Sequence, residues 1–278
     1  MAKVLSERAL AQYRDEGYFF PIDVLSEAEV ASAREQLETF EASQSAPLNG
    51  GQRSKSHLLF KWVDELMRHP NILDAVEDLI GPNLLCWNTL FWIKEARSPS
   101  FVSWHQDVRY WGLDTSELVT AWVALSPANA SSGCMRVLPR SHLEEVMPHE
   151  DEYHDANMLT RGQSIAIEVD EDETVTMALQ PGQMSLHNVQ LAHASGPNQS
   201  DDRRIGLSLH YIPTRTRQTV SGWDSAALVR GTDEHGNFVL APRPQHDFDP
   251  VGVAFHEKAT GALRDILFKD AEKVRPTL

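Results

Sequence analysis

Leu84–Lys94 reads LLCWNTLFWIK, a short apolar and aromatic run in which Asn88 is polar among apolar neighbours. It follows Gly81-Pro82, a pair that stops the helical pattern before it. Beyond it the chain produces further runs of the same kind, LVTAWVAL, CMRVLP, SIAIEV, VTMAL, QMSLHN and IGLSLHYI, separated by turn residues. Short strands with no long helices between them predict an all-β sandwich or barrel core over residues 84–213.

Outward from this core, the N-terminal part reads as helix, short strand, helix. LSERALAQYRDEGYFFP stops at Gly17 and Pro21, and LSEAEVASAREQLETFEAS resumes an i, i+3, i+4 apolar pattern behind the capping-box pair Ser26 and Glu29. QSAPLNGGQRSKS has no periodicity and reads as a loop that orders over a ligand. HPNILDAVEDLIGPN predicts another helix, so residues 1–83 form a helical flank on the outside of one sheet. After the core, FHEKATGALRDILFKDAEKVR reads as a closing amphipathic helix, which makes 214–278 a lid and closing segment. With neither an internal repeat nor a linker, the expectation is one domain over 1–278, mainly β with flanking α-helices.

Composition narrows the function. Of 278 residues, 41% are hydrophobic and 23% charged, which is ordinary for a globular chain. The formal charge of −15 would repel a nucleic-acid backbone or an anionic membrane surface, so a small-molecule partner is expected instead. The start lacks a signal-like apolar run and no long uninterrupted apolar stretch follows, so a cytoplasmic location is expected. Cys86 and Cys134 lack the spacing of a zinc site and read as buried thiols. The sequence is compatible with a homo-oligomer.

Chemistry concentrates at Trp104-His105-Gln106-Asp107. A His and an Asp two positions apart point to one face of an extended segment and can share a metal. A third ligand has to come from another strand. His193, in LAHASGPN between QMSLHN and IGLSLHYI, is the candidate; His187 is an alternative that the Ser-Gly-Pro-Asn context disfavours. Two imidazoles and one carboxylate on one face of an octahedron suit non-haem iron(II). Arg203-Arg204 follows, where a guanidinium on a rigid strand can hold a dicarboxylate through two parallel bonds.

Several motifs occur together in one order: W-H-Q-D at 104–107, A-W-V-A-L at 121–125, S-G-C-M-R-V-L-P-R-S-H at 132–142 and H-A-S-G-P-N-Q-S-D-D-R-R at 193–204. In these the chain resembles the phytanoyl-CoA dioxygenase family of iron(II)- and 2-oxoglutarate-dependent oxygenases. The resemblance implies a double-stranded β-helix, a cupin-like jelly roll with helices on one side. It also implies His105, Asp107 and His193 as iron(II) ligands and catalytic centre, Arg204 as partner of the 2-oxoglutarate distal carboxylate, and co-substrate roles for Ser195, Asn88 and Trp122. The activity implied is dioxygen-dependent hydroxylation of an aliphatic carbon. Family members that halogenate lack the carboxylate ligand, whereas Asp107 is present here. Desaturation or ring formation would use the same metal centre.

For the substrate, Arg109, Tyr110 and Trp111 follow the metal motif, and Trp62, Trp223, Arg215 and Arg217 stand elsewhere as candidates. Aromatics can enclose a quaternary ammonium and arginines can hold a phosphonate or carboxylate, so a small zwitterion, an aminophosphonate or betaine-like compound, is expected. Two rivals are a non-catalytic cupin-like metal or small-molecule binding protein, which has no need of Arg204, and a metal-dependent isomerase or hydrolase that uses the carboxylate as a base.

Overall fold

The computed structural model describes residues 2–151, 153–269 and 271. The flank contains helices α1 (Glu7–Glu16), α2 (Glu27–Gln44), α3 (Gly50–Arg53), α4 (Lys61–Leu66) and α5 (Pro70–Ile80), with strand β1 (Tyr18–Asp23) between the first two. The core then runs through β2 (Leu84–Lys94), β3 (Val102–His105), the short helix α6 (Val108–Trp111), β4 (Val119–Ala124), β5 (Met135–Val137), β6 (His149–Asp151), β7 (Gln163–Ile165), β8 (Val175–Met177), β9 (Gln183–Asn188), β10 (His193–Ser195) and β11 (Arg204–Pro213). Strands β12 (Ser225–Arg230) and β13 (Val239–Leu240) precede the closing helix α7 (Pro250–Leu267). The rest of the expected tail helix, at 270 and 272–278, lies outside the described residues.

Two sheets face each other as a jelly roll. The larger has the order β1-β9-β4-β11-β2-β12-β13 and the smaller β3-β10-β5-β8. Consecutive strands in these orders are mostly distant in sequence, which is how residues near 90, 105, 190 and 205 come to share one interior. The run SIAIEV forms a strand only at Gln163–Ile165, in a separate ribbon with β6. Its remainder has no partner strand, and Ile167 is exposed.

The local signals explain the flank. Ser26 and Glu29 make both capping-box bonds, Pro70 occupies the first turn of α5, and Gly17 ends α1 in the left-handed region. The segment expected to be a loop is ordered: Asn49 caps α3, and Ser54 bridges to Leu90. Along β11, Ile205, Leu207, Leu209 and Tyr211 face the helices and join Ile72, Ala75 and Val76 of α5 in the main core. Each large apolar side chain buried there contributes roughly 1.5–3 kcal/mol. The alternate residues, Arg204, Gly206, Ser208 and His210, face the other way, toward the smaller sheet. With the helix side of β11 apolar, its inner side carries the polar side chains Arg204, Ser208 and His210.

Candidate active site

β3 ends at His105, and its antiparallel neighbour β10 begins at His193, so the two imidazoles are direct partners across the pair, with ring centroids 4.1 Å apart. Gln106, between His105 and Asp107, points away and anchors the motif. Its side chain donates to the Gln190 carbonyl (2.6 Å) and accepts from Met147 N (2.8 Å), while its backbone N–H donates to His149 Nε2 (3.0 Å). Asp107 then stands at the start of α6. The ligating atoms of His105, Asp107 and His193 all lie within 4.8 Å of one another.

The hydrogen-bonding pattern fixes which nitrogen faces the centre. His105 Nδ1 contacts the Ser103 carbonyl and His193 Nδ1 the Leu191 carbonyl, both at 2.9 Å. A carbonyl only accepts, so each Nδ1 carries the proton and each Nε2 presents a lone pair. His105 Nε2 is buried with no hydrogen-bond partner and lies 3.4 Å from Asp107 Oδ1. Burial, then the charge of His105, brings the His193 pKa down to about 4. Burial pushes the Asp107 carboxyl upward, but the close approach of His105, followed by His193 and His210, outweighs it and holds it below the usual carboxylate range. An unpartnered buried nitrogen beside a carboxylate and a second neutral imidazole is a donor set that fits a divalent transition metal.

At the opposite end of the inner face, Arg204 on β11 and Lys94 on β2 are register partners. Both are buried, and among the described residues no carboxylate acts on either. Arg204 donates Nη1 to the Gly133 carbonyl (2.8 Å), while its Nε has no partner. Lys94 Nζ donates to Ser195 Oγ (2.7 Å) and to carbonyls of Ser195 and Gly133. Burial lowers the Arg204 pKa to about 10; burial and the Arg204 charge lower that of Lys94 to about 6. A buried guanidinium with an idle donor, beside a lysine amine that burial and the Arg204 charge keep short of its proton until an anion arrives, suits an incoming carboxylate. Trp122 lies over Gly206 and within 5.4 Å of the Arg204 guanidinium.

A cavity of about 180 Å³ connects the two ends, lined by Asn88, Trp111, Trp122, Ser195 and Arg204 along with all three clustered ligands. Asn88 is the register partner of His210, at the opposite end of the strand pair from Arg204; its Oδ1 accepts from Lys55 N (3.0 Å) and Ser54 Oγ. Trp87, Trp111 and His210 form an aromatic wall, with Trp87–Trp111 centroids 4.9 Å apart and Trp111–His210 4.6 Å.

The other candidates fall elsewhere. Arg109 and Tyr110 line an adjoining cleft that shares Leu267 with the cavity, and Arg161 lies over the Tyr110 ring at 4.9 Å. Arg215 pairs with the exposed Glu117, and the Arg217 backbone bonds Asp114. Trp62 packs against Phe60 and Phe91 in the helix-side core, and Trp223 meets Phe255 at a tilt, under Lys258. His187 lies beside His193, with centroids 4.9 Å apart, but outside the ligand cluster. Sequence reading overlooked Lys94; its signal was a cation closing an apolar strand, which becomes meaningful only once β2 is registered against Arg204.

A jelly roll with a two-histidine, one-carboxylate cluster facing a cationic end is the layout of a non-haem oxygenase that uses an acidic co-substrate. The family model for phytanoyl-CoA dioxygenase matches residues 13–206. The chain belongs to the phytanoyl-CoA dioxygenase family: it is an iron(II)- and 2-oxoglutarate-dependent dioxygenase. It is 37% identical to the non-heme monooxygenase ThoJ, solved in its apo form, with a TM-score of 0.83 over 93% of this chain and 97% of that one. The probable alpha-ketoglutarate-dependent hypophosphite dioxygenase of Stutzerimonas stutzeri is 28% identical over 221 residues, 72% of this chain and 76% of that protein. The structure of CytC3 with Fe(II) and alpha-ketoglutarate shares the fold at 22% identity, with a TM-score of 0.64 over 88% and 96% of the two chains. Among the described residues no helix is long and apolar enough to cross a membrane.

Proposed function

We propose that this dioxygenase hydroxylates an aliphatic carbon of a small polar molecule, with His105, Asp107 and His193 as the iron ligands. Arg204 and the Ser195 hydroxyl hold the distal carboxylate of 2-oxoglutarate. Trp122 covers the co-substrate above Gly206, and the free amide of Asn88 serves its metal-bound end. Bound iron(II) and 2-oxoglutarate supply the oxidising chemistry that breaks the substrate C–H bond. The chain's own residues bind, orient and exclude water: Trp87 and Trp111 close the cavity, and Gln106 keeps His105 and Asp107 aimed inward.

The observation that carries this reading is the pairing of an unpartnered, buried His105 Nε2 at one end of the cavity with an unpartnered, buried Arg204 Nε at the other. A non-catalytic binding protein has no use for the second. For the substrate, a betaine-like or aminophosphonate zwitterion fits with its cationic head on the Trp87–Trp111 wall and its anionic end reaching Arg109 across Leu267. The test is anaerobic titration of the protein with iron(II) and 2-oxoglutarate, followed by succinate release with a panel of small amines, betaines and phosphonates. A visible charge-transfer band requiring both additions is expected. No band, or succinate release unaffected by Asp107→Ala, sinks the proposal.

A further inference from the structure

At the metal end of the inner face, four side chains from four neighbouring strands stand in one row. His187 of β9 is opposite Thr120 of β4, Thr120 is opposite His210 of β11, and His210 is opposite Asn88 of β2. Residues in register on adjacent strands point to the same face, and all four line the cavity. Three are unusual. Thr120 Oγ1, both ring nitrogens of His187 and His210 Nδ1 are buried with no hydrogen-bond partner among the described residues, although native interiors pair nearly all such atoms. Thr120 is 2% exposed, His187 1% and His210 5%, so bulk solvent does not serve them.

We infer that His187, Thr120 and His210 form a substrate subsite that hydrogen-bonds an uncharged group able both to donate and to accept, a hydroxyl or a carboxamide, beside the carbon to be oxidised. Only the last clause rests on the oxygenase reading. The row is next to the ligand cluster, since the His187 ring is 4.9 Å from that of His193. Asn88, the fourth residue of the row, is already assigned to the metal-bound end of the co-substrate; the other three are not part of the distal carboxylate site, because Arg204 and His210 are six residues apart on one strand, about 20 Å at 3.3 Å per residue. Charge selects the ligand class. No lysine, arginine or carboxylate stands in the row, so neither an anion nor a cation finds a counterion there. An anion would also meet Asp107, and a cation would compete with the metal for it. Hydroxyl and imidazole groups in turn each offer a donor and an acceptor. A site built to hydrogen-bond such a group rejects an analogue that lacks it, because its own buried atoms are then left unpaired. The row therefore fixes which end of the substrate lies at the metal.

The test uses the full chain loaded with nickel(II) and 2-oxoglutarate, so that no turnover occurs, and the same chain without either. The probes are acetamide, 1,3-propanediol, sodium acetate and tetramethylammonium chloride, followed by ligand-observed NMR. In the loaded form the two neutral probes are expected to bind more tightly than acetate, while tetramethylammonium, which the Trp87–Trp111 wall takes, does not respond to Thr120→Val. Thr120→Val, which keeps the branched shape and removes the hydroxyl, weakens them tenfold or more; His210→Phe does the same. Unchanged 2-oxoglutarate affinity in Thr120→Val shows that the fold is intact. Preference for acetate, absence of neutral-probe binding, or wild-type affinity for the neutral probes in both variants overturns the subsite. If wild type fails to bind 2-oxoglutarate, the oxygenase reading fails, while the neutral-probe comparison in the unloaded chain still decides the row.

Discussion

Arg203 and Arg204 are neighbours in sequence and face opposite sides of β11. Arg204 is buried with an idle Nε toward the cavity, while Arg203 holds Glu41 (2.6 Å) and Glu95 (2.8 Å) outside it. Removing one member of a buried charge pair costs about 3–5 kcal/mol, and each 1.4 kcal/mol is roughly tenfold. Arg204→Ala is therefore expected to weaken 2-oxoglutarate binding by on the order of a hundredfold or more, with metal affinity kept. Arg203→Ala costs about 1–3 kcal/mol of stability through its lost bonds to Glu41 and Glu95, and leaves co-substrate affinity unchanged. Calorimetric titration of both variants checks this; a large affinity loss in the Arg203 variant contradicts it.

Lys94 donates to Ser195 Oγ, so the Ser195 hydroxyl has its own proton free for another acceptor. If that acceptor is the distal carboxylate, Lys94 acts through Ser195. Lys94→Met, similar in length but uncharged, is expected to weaken 2-oxoglutarate binding tenfold or more. The double variant with Ser195→Ala should then show a coupling of about 0.5–3 kcal/mol. Strictly additive losses would mean that Lys94 acts on the co-substrate independently of Ser195, and no loss in Lys94→Met that it serves the fold alone.

Most element types and the ligand cluster were legible because each rests on local pattern, while SIAIEV, read as a strand, is one only at Gln163–Ile165. The alternation in IGLSLHYI sets the inward face of β11, the H-x-D spacing sets two ligands, and Ser26 with Glu29 sets a helix start. What remained hidden depends on register between distant strands. Lys94 matters because it meets Arg204, and Thr120 because it stands between His187 and His210; neither pairing can be counted off along the chain. The placement of Tyr110 and Arg109 was likewise invisible, because α6 turns them toward a cleft beside the cavity.

Acid should destabilise the fold from below about pH 6.5. His57 is fully buried, with its backbone N–H and Nδ1 on Thr89 Oγ1, and burial followed by the charges of Lys55 and Arg68 keeps its pKa well below that of a free imidazole. The unfolded chain takes up a proton near pH 6.5 that the folded His57 does not. Its contribution is therefore present above that pH and is lost as pH falls toward the folded value. One such group gives a slope of about 1.4 kcal/mol per pH unit. In urea unfolding between pH 7 and 5, His57→Gln should lose about one proton's worth of slope. An identical slope would mean that folded His57 titrates normally.

Gly206 offers the sharpest steric test of how the co-substrate channel is built. It lies between Arg204 and Ser208 on the inner face, and a Cβ there would run into the Trp122 ring. That ring is held on its other sides by its own strand and by the Arg204 guanidinium, and it is 4% exposed. It cannot move without leaving its place over the channel. Forcing extra volume into a packed site of this kind costs about 1–3 kcal/mol. Gly206→Ala should therefore lower the unfolding midpoint and weaken 2-oxoglutarate binding together, while metal affinity, set by residues on other strands, stays near wild type. Trp122→Phe in the same background supplies the control, because a smaller ring gives the new methyl room and should restore part of both losses. If Gly206→Ala binds 2-oxoglutarate as wild type does, Trp122 does not wall the co-substrate path, and its role is confined to packing.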